Sequence, residues 1–225
     1  MRIVFFILMT IAFLTGVATA GSIKGTALYS LKFKPAPAIE TGKFKKACGD
    51  TIPEETLLVD HSRLKNVVVT LSGKNLKGKS KNAKLDQKKC RYEPHVVAIK
   101  KESNLIISSS DPINHNIHTY SFENDPINVM FVPNQEPLEQ EMEEAEIIKV
   151  ECDLHSWMTA WIVVTDNSFY AVTNQKGDFE IGNVPPGKYK LTAWHESLGS
   201  IEKDLTVTDE GGTVDFDFSH LPTGN

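Results

Sequence analysis

Three residue types that bind soft metal ions follow one another at C-x2-H-x2-M spacing: Cys152, His155 and Met158. Two further imidazoles, His115 and His118, lie upstream in the segment N-H-N-I-H. Two histidines, one cysteine and a weak axial methionine are the ligands of a blue-copper electron-transfer site. The spacing therefore predicts a copper site, with the second histidine supplied from the upstream segment.

Each residue type has a physical role in such a site. A thiolate donates electron density strongly to copper, imidazoles complete a trigonal plane, and a long thioether bond tunes the reduction potential. Zinc fits less well, because a thioether suits soft Cu(I) better. The pair C-x2-H alone is a weak signal, and the prediction depends on its joint occurrence with the upstream histidine.

The first 20 residues predict a cleaved signal peptide. Arg2 precedes an apolar core at residues 3–14, and the small-x-small site Ala18-Thr19-Ala20 follows. This core is too short to span a bilayer, and no later segment has the roughly 18 apolar residues of a membrane helix. We therefore expect an exported protein, periplasmic or secreted, that is not an integral membrane protein.

The charge and the cysteine count narrow the function further. The chain has a net charge of −5, and removal of Arg2 would make it more negative, which argues against nucleic-acid binding. Three cysteines leave one unpaired in an exported protein. A disulfide between Cys48 and Cys90 is the simplest expectation, and metal ligation would keep Cys152 reduced.

The rest of the chain predicts an all-β fold. Short β-rich runs are divided by turn residues, without a long helical period, which is typical of β-sandwiches. The runs cover residues 23–28, 66–71, 95–99, 105–108, 147–150, 161–164, 169–173, 179–181, 189–194 and 201–208. The Glu-rich stretch 136–146 predicts a short helix or a solvated loop, and the Lys-rich stretch 74–89 predicts an exposed loop.

The C-terminal third contains two turn phrases, T-N-Q-K-G-D-F at residues 173–179 and V-P-P-G-K-Y-K-L at residues 184–191. They resemble the carboxypeptidase regulatory-like (transthyretin-like) sandwich, whose opening phrase matches G-S-I-K-G at residues 21–25. The two halves of this resemblance are far apart in the chain. We therefore expect a discontinuous sandwich of residues 21–87 and 167–220, with a copper domain inserted at residues 88–166.

Residues 95–164 resemble a minimal cupredoxin, closest in motifs to amicyanin and plastocyanin. This resemblance implies a Greek-key β-sandwich inserted in, or fused to, the regulatory-like one. It also implies that the ligands are His115, Cys152, His155 and Met158, and that Asn116 ties the ligand loops together. The phrases C-x-x-H-x-W-M and W-H-E-x-L-G further resemble secreted bacterial proteins sometimes labelled methylamine-utilisation-like.

Several other side chains near these motifs have two readings. His118 would support the ligands or pack in the core, with ligation as the alternative. Trp157 would shield the metal and present an apolar docking surface, or pack against another tryptophan. His95 and His195 would be packed or hydrogen-bonded residues, or would line a polar cleft between the two domains.

The predicted function is a type 1 copper electron carrier with a redox protein as its partner. The first alternative is periplasmic copper buffering or delivery, which would expose the ligands more. The second is a non-catalytic binding or adhesion module with a structural metal. An enzyme is not expected, because the sequence has no nucleophile–base pair or nucleotide loop. The oligomeric state is not predicted.

Overall fold

The computed structural model describes residues 20–74, 76 and 78–220, and nearly all of its regular structure is strand. The strands, in chain order, are β1 (Gly21–Leu28), β2 (Ile39–Glu40), β3 (Thr51–Ile52), β4 (Val59–Asp60), β5 (Arg63–Leu64), β6 (Val68–Ser72), β7 (Ala83–Lys88), β8 (Arg91–Glu93), β9 (Val96–Lys100), β10 (Ser103–Ser109), β11 (His115–Tyr120), β12 (Asn128–Phe131), β13 (Leu138–Met142), β14 (Ile147–Glu151), β15 (Thr159–Thr165), β16 (Tyr170–Val172), β17 (Asp178–Val184), β18 (Gly187–His195), β19 (Gly199–Val207), β20 (Gly212–Thr213) and β21 (Phe216–Asp217). A 3-10 helix (Gly42–Phe44) leads into the one-turn helix α1 (Lys45–Cys48) between β2 and β3.

One hydrophobic core, the first core, lies between a four-stranded and a five-stranded sheet. Their strand orders are β13-β10-β7-β8 and β12-β11-β14-β15-β9. Side chains alternate along each strand, so one face of each sheet points inward. Leu105 and Ile107 enter the core from the first sheet, and Ile148 and Val150 enter it from the second.

The second core lies between the remaining large sheets. A sheet of order β16-β6-β18-β19 faces a six-stranded sheet in which β1 pairs with β17, β5, β20 and β21. Leu191 of β18 and Ile23 of β1 are both fully buried there. The turns around this core follow the predicted phrases. Gly177, with φ +70°, closes the turn before β17, and Gly187 begins β18.

A small third cluster joins the parts of the molecule built around the first and second cores, which are called the two halves from here on. Val96 and Ala98 of β9 pack with Val163 of β15 and Val68 of β6. Successive side chains of a strand point to opposite faces of the sheet, so β9 packs into the first core with one face and into this third cluster with the other.

The all-β prediction is confirmed, and all ten predicted runs contain or overlap a strand. Two segment predictions are wrong. Residues 138–142 form β13 instead of a helix or loop, because Leu138 and Met142 pack on the first core. Residues 83–88 form β7 instead of an exposed loop, because Leu85 and Gln87 are fully buried between neighbouring strands.

The two cores divide the chain differently from the predicted boundaries in two places. β7 pairs with β10 and β8, so sheet pairing with the first core starts before residue 88. Cys48 and Ile52 also pack on the first core, although they lie within residues 21–87. The predicted Cys48–Cys90 disulfide is confirmed.

The signal-peptide prediction falls on residues 1–20, of which 1–19 lie outside the described residues. Among the helices that the structure does describe, none has the length and apolarity needed to cross a membrane.

Candidate metal centre

Two neighbouring strands bring the predicted ligands together. The loop from Cys152 to Met158 joins the antiparallel strands β14 and β15, and His115 is the first residue of β11. β11 pairs with β14 at His118 and Glu151, so the earlier residues of β11 run alongside the loop. Strand register therefore delivers the upstream histidine to the loop.

Backbone hydrogen bonds hold the loop compact. The Cys152 N–H donates to the carbonyl of Met158 (3.1 Å), and the Met158 N–H donates to the carbonyl of His155 (2.9 Å). The His155 N–H donates in turn to the carbonyl of Cys152 (3.2 Å). These bonds fix the spacing of the three side chains before any metal binds.

Three predicted ligands converge in the interior. Nδ1 of His115 lies 3.0 Å from Nδ1 of His155, which lies 3.6 Å from Sγ of Cys152. Their ligand atoms all lie within 4.8 Å of one another, and the side chains are 0–2% exposed. Two imidazole nitrogens and a thiol sulfur form a donor set that can hold a soft metal ion.

Asp111 is a functional residue that the sequence analysis missed. Its Oδ2 lies 2.9 Å from Nε2 of His115, and its two oxygens accept the N–H groups of Lys89 (2.6 Å) and Cys90 (2.7 Å). The carboxylate holds one proton of His115 on Nε2, so Nδ1 is the nitrogen that can bind a metal once it gives up its own proton. The four-residue spacing from Asp111 to His115 was the available signal.

The protonation of His115 and Cys152 is coupled. Burial alone would lower the pKa of His115, but hydrogen bonds with Asp111 and Cys152 outweigh it and raise that pKa to about 8. Burial alone would raise the pKa of Cys152, but the contact with His115 and backbone N–H groups, including that of Asn116, lower it. The environment therefore favours the thiolate, which is the form that binds metals.

His155 has the opposite environment. Burial, and then the positive charge of His115, lower the pKa of His155 to about 4. The ring is held neutral, which is the ligand form of imidazole. Its Nε2 is buried and has no hydrogen-bond partner among the described residues. The Nδ1 side of this ring, which faces His115 and Cys152, is the side that fits a metal.

Asn116 ties the two segments together through Asp153. The Asn116 side chain donates to Oδ2 of Asp153 (2.8 Å) and accepts the Asp153 N–H (2.7 Å). His118 lies on the same face of β11, where its Nδ1 is 3.1 Å from Oδ1 of Asp153. The ring of His118 stacks on Tyr120 and does not join the ligand cluster.

The aromatic rings of Phe44 and Trp157 pack against His155 of the loop. Phe44 lies edge-on to His155, with 4.4 Å between ring centroids, and Trp157 lies 5.3 Å from the same imidazole. Trp157 donates its Nε1–H to the carbonyl of Cys90 (3.1 Å). It therefore packs beside the cluster instead of against Trp161 or Trp194. Met158, at the end of the loop, is buried in the first core.

His95 and His195 lie at the junction of the two halves. Nε2 of His95 is 2.5 Å from Oε1 of Glu196, and Nδ1 of His195 accepts the N–H of Ser197 (3.2 Å). Both histidines are buried, at 6% and 1% exposure, and both are packed and hydrogen-bonded, while His95 also borders a small cavity with Arg91 and Glu55.

Comparisons with known proteins match parts of the chain. The family model of "Polysaccharide lyase family 4, domain II" matches residues 146–216, which include most of the predicted segment 167–220 and none of the predicted segment 21–87. A search of curated protein sequences finds no match to the chain.

Similar solved structures include three copper proteins. A purple cupredoxin from Nitrosopumilus maritimus is 19% identical over 37% of this chain and 99% of its own, with a TM-score of 0.32. A reduced Cu(I) form of an amicyanin variant is 17% identical over 43% of this chain and 98% of its own, with a TM-score of 0.34.

The third is a copper-containing nitrite reductase from Thermus scotoductus. It is 10% identical over 50% of this chain, with a TM-score of 0.36. The match spans only 26% of that enzyme's length.

Proposed function

We propose that this protein is an exported, non-catalytic copper protein that carries single electrons to or from a redox protein. The observation that carries the proposal is the convergence of Nδ1 of His115, Nδ1 of His155 and Sγ of Cys152. We assign these atoms as copper ligands, with Met158 as the weak fourth ligand at the end of the loop. Bound copper would supply the exchange between Cu(I) and Cu(II).

The protein's own residues hold the site in one arrangement. Asp111 orients His115 and fixes its tautomer, and the Asn116–Asp153 hydrogen bonds lock the ligand loop to β11. The first core packs around the loop and keeps water away from it. A rigid, dry ligand set changes little between oxidation states, which an electron carrier requires.

Two observations favour this function over its alternatives. The three clustered ligands are 0–2% exposed, whereas a delivery protein would present its ligands to an acceptor. The Cys48–Cys90 disulfide supports an oxidising compartment and leaves Cys152 as the free thiol. We also propose that the strands around the first core have a cupredoxin-type arrangement.

Addition of Cu(II) to the purified protein tests the proposal. We expect an intense visible thiolate-to-copper absorption band that is reversibly bleached by a one-electron reductant. Cys152→Ser should abolish the band, whereas His61→Gln, at an exposed histidine paired with Asp60, should leave it unchanged. A colourless complex, or a band that survives in Cys152→Ser, would refute the electron-carrier proposal and favour copper storage or a structural metal.

A further inference from the structure

A short chain segment covers the side of His155 that faces away from the ligand cluster. This cap comprises residues 39–52: β2, the 3-10 helix, α1 and β3. Phe44 of the cap places its ring edge-on to the imidazole, at 4.4 Å between centroids. Through this contact His155 is only 1% exposed. Any partner that approaches this edge of the site therefore meets the cap first.

The cap is firmly attached to the first core. Cys48 is bonded to Cys90, and Ile52 is 3% exposed within the core. Within the cap, β2 pairs with β3, and the Thr41 N–H donates to the carbonyl of Asp50 (3.2 Å). The cap is thus a fixed part of the site's outer wall.

The outer surface of the cap is basic. Lys43, Lys45 and Lys46 are all exposed, and Lys43 places its Nζ 5.0 Å from the centroid of the Phe44 ring. The only ion pair that the described residues offer these lysines is Lys45 with Asp50, at 3.5 Å between largely exposed side chains. This cluster contrasts with the chain's net charge of −5.

We propose that the cap is the docking surface through which the site exchanges electrons, and that its partner is an acidic redox protein. This inference rests on the proposed function. Phe44 contacts the buried imidazole of His155 and the exposed Lys43, so the cap provides a packed path from the site to the surface. The three lysines outnumber the two exposed carboxylates of the cap, Glu40 and Asp50, and a net positive surface raises the encounter rate with acidic partners. A carboxylate-rich surface fits here despite the acidic remainder of the chain.

A different exposed surface near the loop is apolar. Leu154, Met130 and Tyr120 are 43–48% exposed on the side of Asp153. They lie beside the carboxylates of Glu151 and Asp153, so a route through them would favour a cationic reagent over an anionic one. Charge dependence therefore separates the two surfaces.

The test uses the copper(I)-loaded protein and two small oxidants of opposite charge. Hexacyanoferrate(III), an anion, and tris(phenanthroline)cobalt(III), a cation, each accept one electron as the site goes from Cu(I) to Cu(II). The test variant is Lys43→Glu/Lys45→Glu/Lys46→Glu. The control, Lys24→Glu/Lys176→Glu/Lys188→Glu, makes the same change in net charge at exposed lysines around the second core.

We expect the test variant to react at least about 10-fold more slowly with hexacyanoferrate at low salt and faster with the cobalt complex. High salt should remove both differences. Poly-L-glutamate should slow the hexacyanoferrate reaction of the wild type but not that of the test variant. The control should change each rate by less than about threefold, because its lysines lie on strands and a turn around the second core and not on the cap.

Equal effects in the two triple variants would overturn the proposal. Wild-type rates that do not depend on the charge of the oxidant would also overturn it. The absorption band is measured first in every variant. A missing band in the wild type would refute the proposed function, whereas intact bands with charge-independent rates would refute only the docking surface.

Discussion

Two buried histidine–carboxylate pairs lie in different parts of this molecule. Asp111 holds His115 at 2.9 Å within the first core, and Glu196 holds His95 at 2.5 Å where the two halves meet. Burial alone would lower the pKa of each histidine, but hydrogen bonds and nearby negative charges, with the paired carboxylate first among them, outweigh it and raise the pKa. By residue type and burial the two pairs are alike.

They differ in what else surrounds the imidazole. Nδ1 of His115 faces His155, and the same ring hydrogen-bonds Cys152, so this nitrogen can become a metal donor. His95 makes a further hydrogen bond to the backbone of Thr159, which also raises its pKa. The comparison teaches that a carboxylate orients a histidine, whereas the environment of the second nitrogen decides whether that histidine can bind metal.

Loss of the junction carboxylate should give the largest effect on stability. Glu196→Ala leaves His95 buried without its partner, and breaking a buried pair costs about 3–5 kcal/mol. Urea unfolding of the wild type and the variant measures this loss, and the copper absorption band should be unchanged. Glu202→Ala, at an exposed salt bridge with Lys190, is the control and should cost less than about 1 kcal/mol. A stable Glu196→Ala with an altered band would reverse the assigned roles of the two pairs.

The corresponding substitution at the metal site, Asp111→Asn, should change metal binding instead of stability. Asp111→Asn keeps the shape but removes the charge that orients His115, and loss of such a partner typically weakens metal affinity 10–100-fold. Competition with a copper chelator measures the affinity, and voltammetry should show a shifted reduction potential. Asp125→Asn, at an exposed carboxylate, should change neither quantity. An unchanged affinity and potential in Asp111→Asn would mean that the carboxylate does not act on the metal site.

Much of the fold could be predicted from the sequence, because strand periodicity and turn residues are local signals. The two wrong segments, 138–142 and 83–88, are rich in charge, and their burial comes from pairing with β10, which no local pattern encodes. The disulfide could be predicted from the number of cysteines, but the segment that it fastens over His155 could not.

The ligand cluster could be predicted from the spacing of its residues, whereas the residues that support it could not. The C-x2-H-x2-M loop indicated three side chains, and strand register brought His115 beside them. Asp111, which accepts the second N–H of His115, was not among the predicted site residues. Similarly, Glu196 adjoins His195 in the sequence but pairs with His95, a contact that exists only between the two halves.

The stability of the protein should also depend on pH through His195 at the junction. Burial, and then the charge of His95, lower the pKa of His195 to about 4. The folded state thus binds fewer protons than the unfolded state, so stability falls as the pH falls from about 6.5 towards 4. At about 1.4 kcal/mol per pKa unit, this costs about 2 kcal/mol between pH 7 and pH 5. His95, whose pKa is raised, has the opposite dependence and loses its contribution as the pH rises.

His195→Asn tests this dependence, because an amide oxygen can still accept the Ser197 N–H. Urea unfolding at pH 7 and pH 5 should show a smaller acid loss in the variant than in the wild type. His155, whose pKa is also lowered, is present in both proteins, so its effect cancels in the difference. The same acid loss in both proteins would show that His195 is not the group that titrates.

The smallest expected effect is at the second hydrogen bond of the junction carboxylate. Trp161 donates its Nε1–H to Oε2 of Glu196 (2.8 Å), while Oε1 faces His95. Trp161→Phe removes the donor and keeps most of the packing against Trp194, so we expect a loss of about 1–2 kcal/mol. A double-mutant cycle with Glu196→Ala should show coupling, because both changes act on one carboxylate. Additive losses would mean that Glu196 stabilises the junction through His95 alone, which would make that pair the closer counterpart of Asp111 and His115.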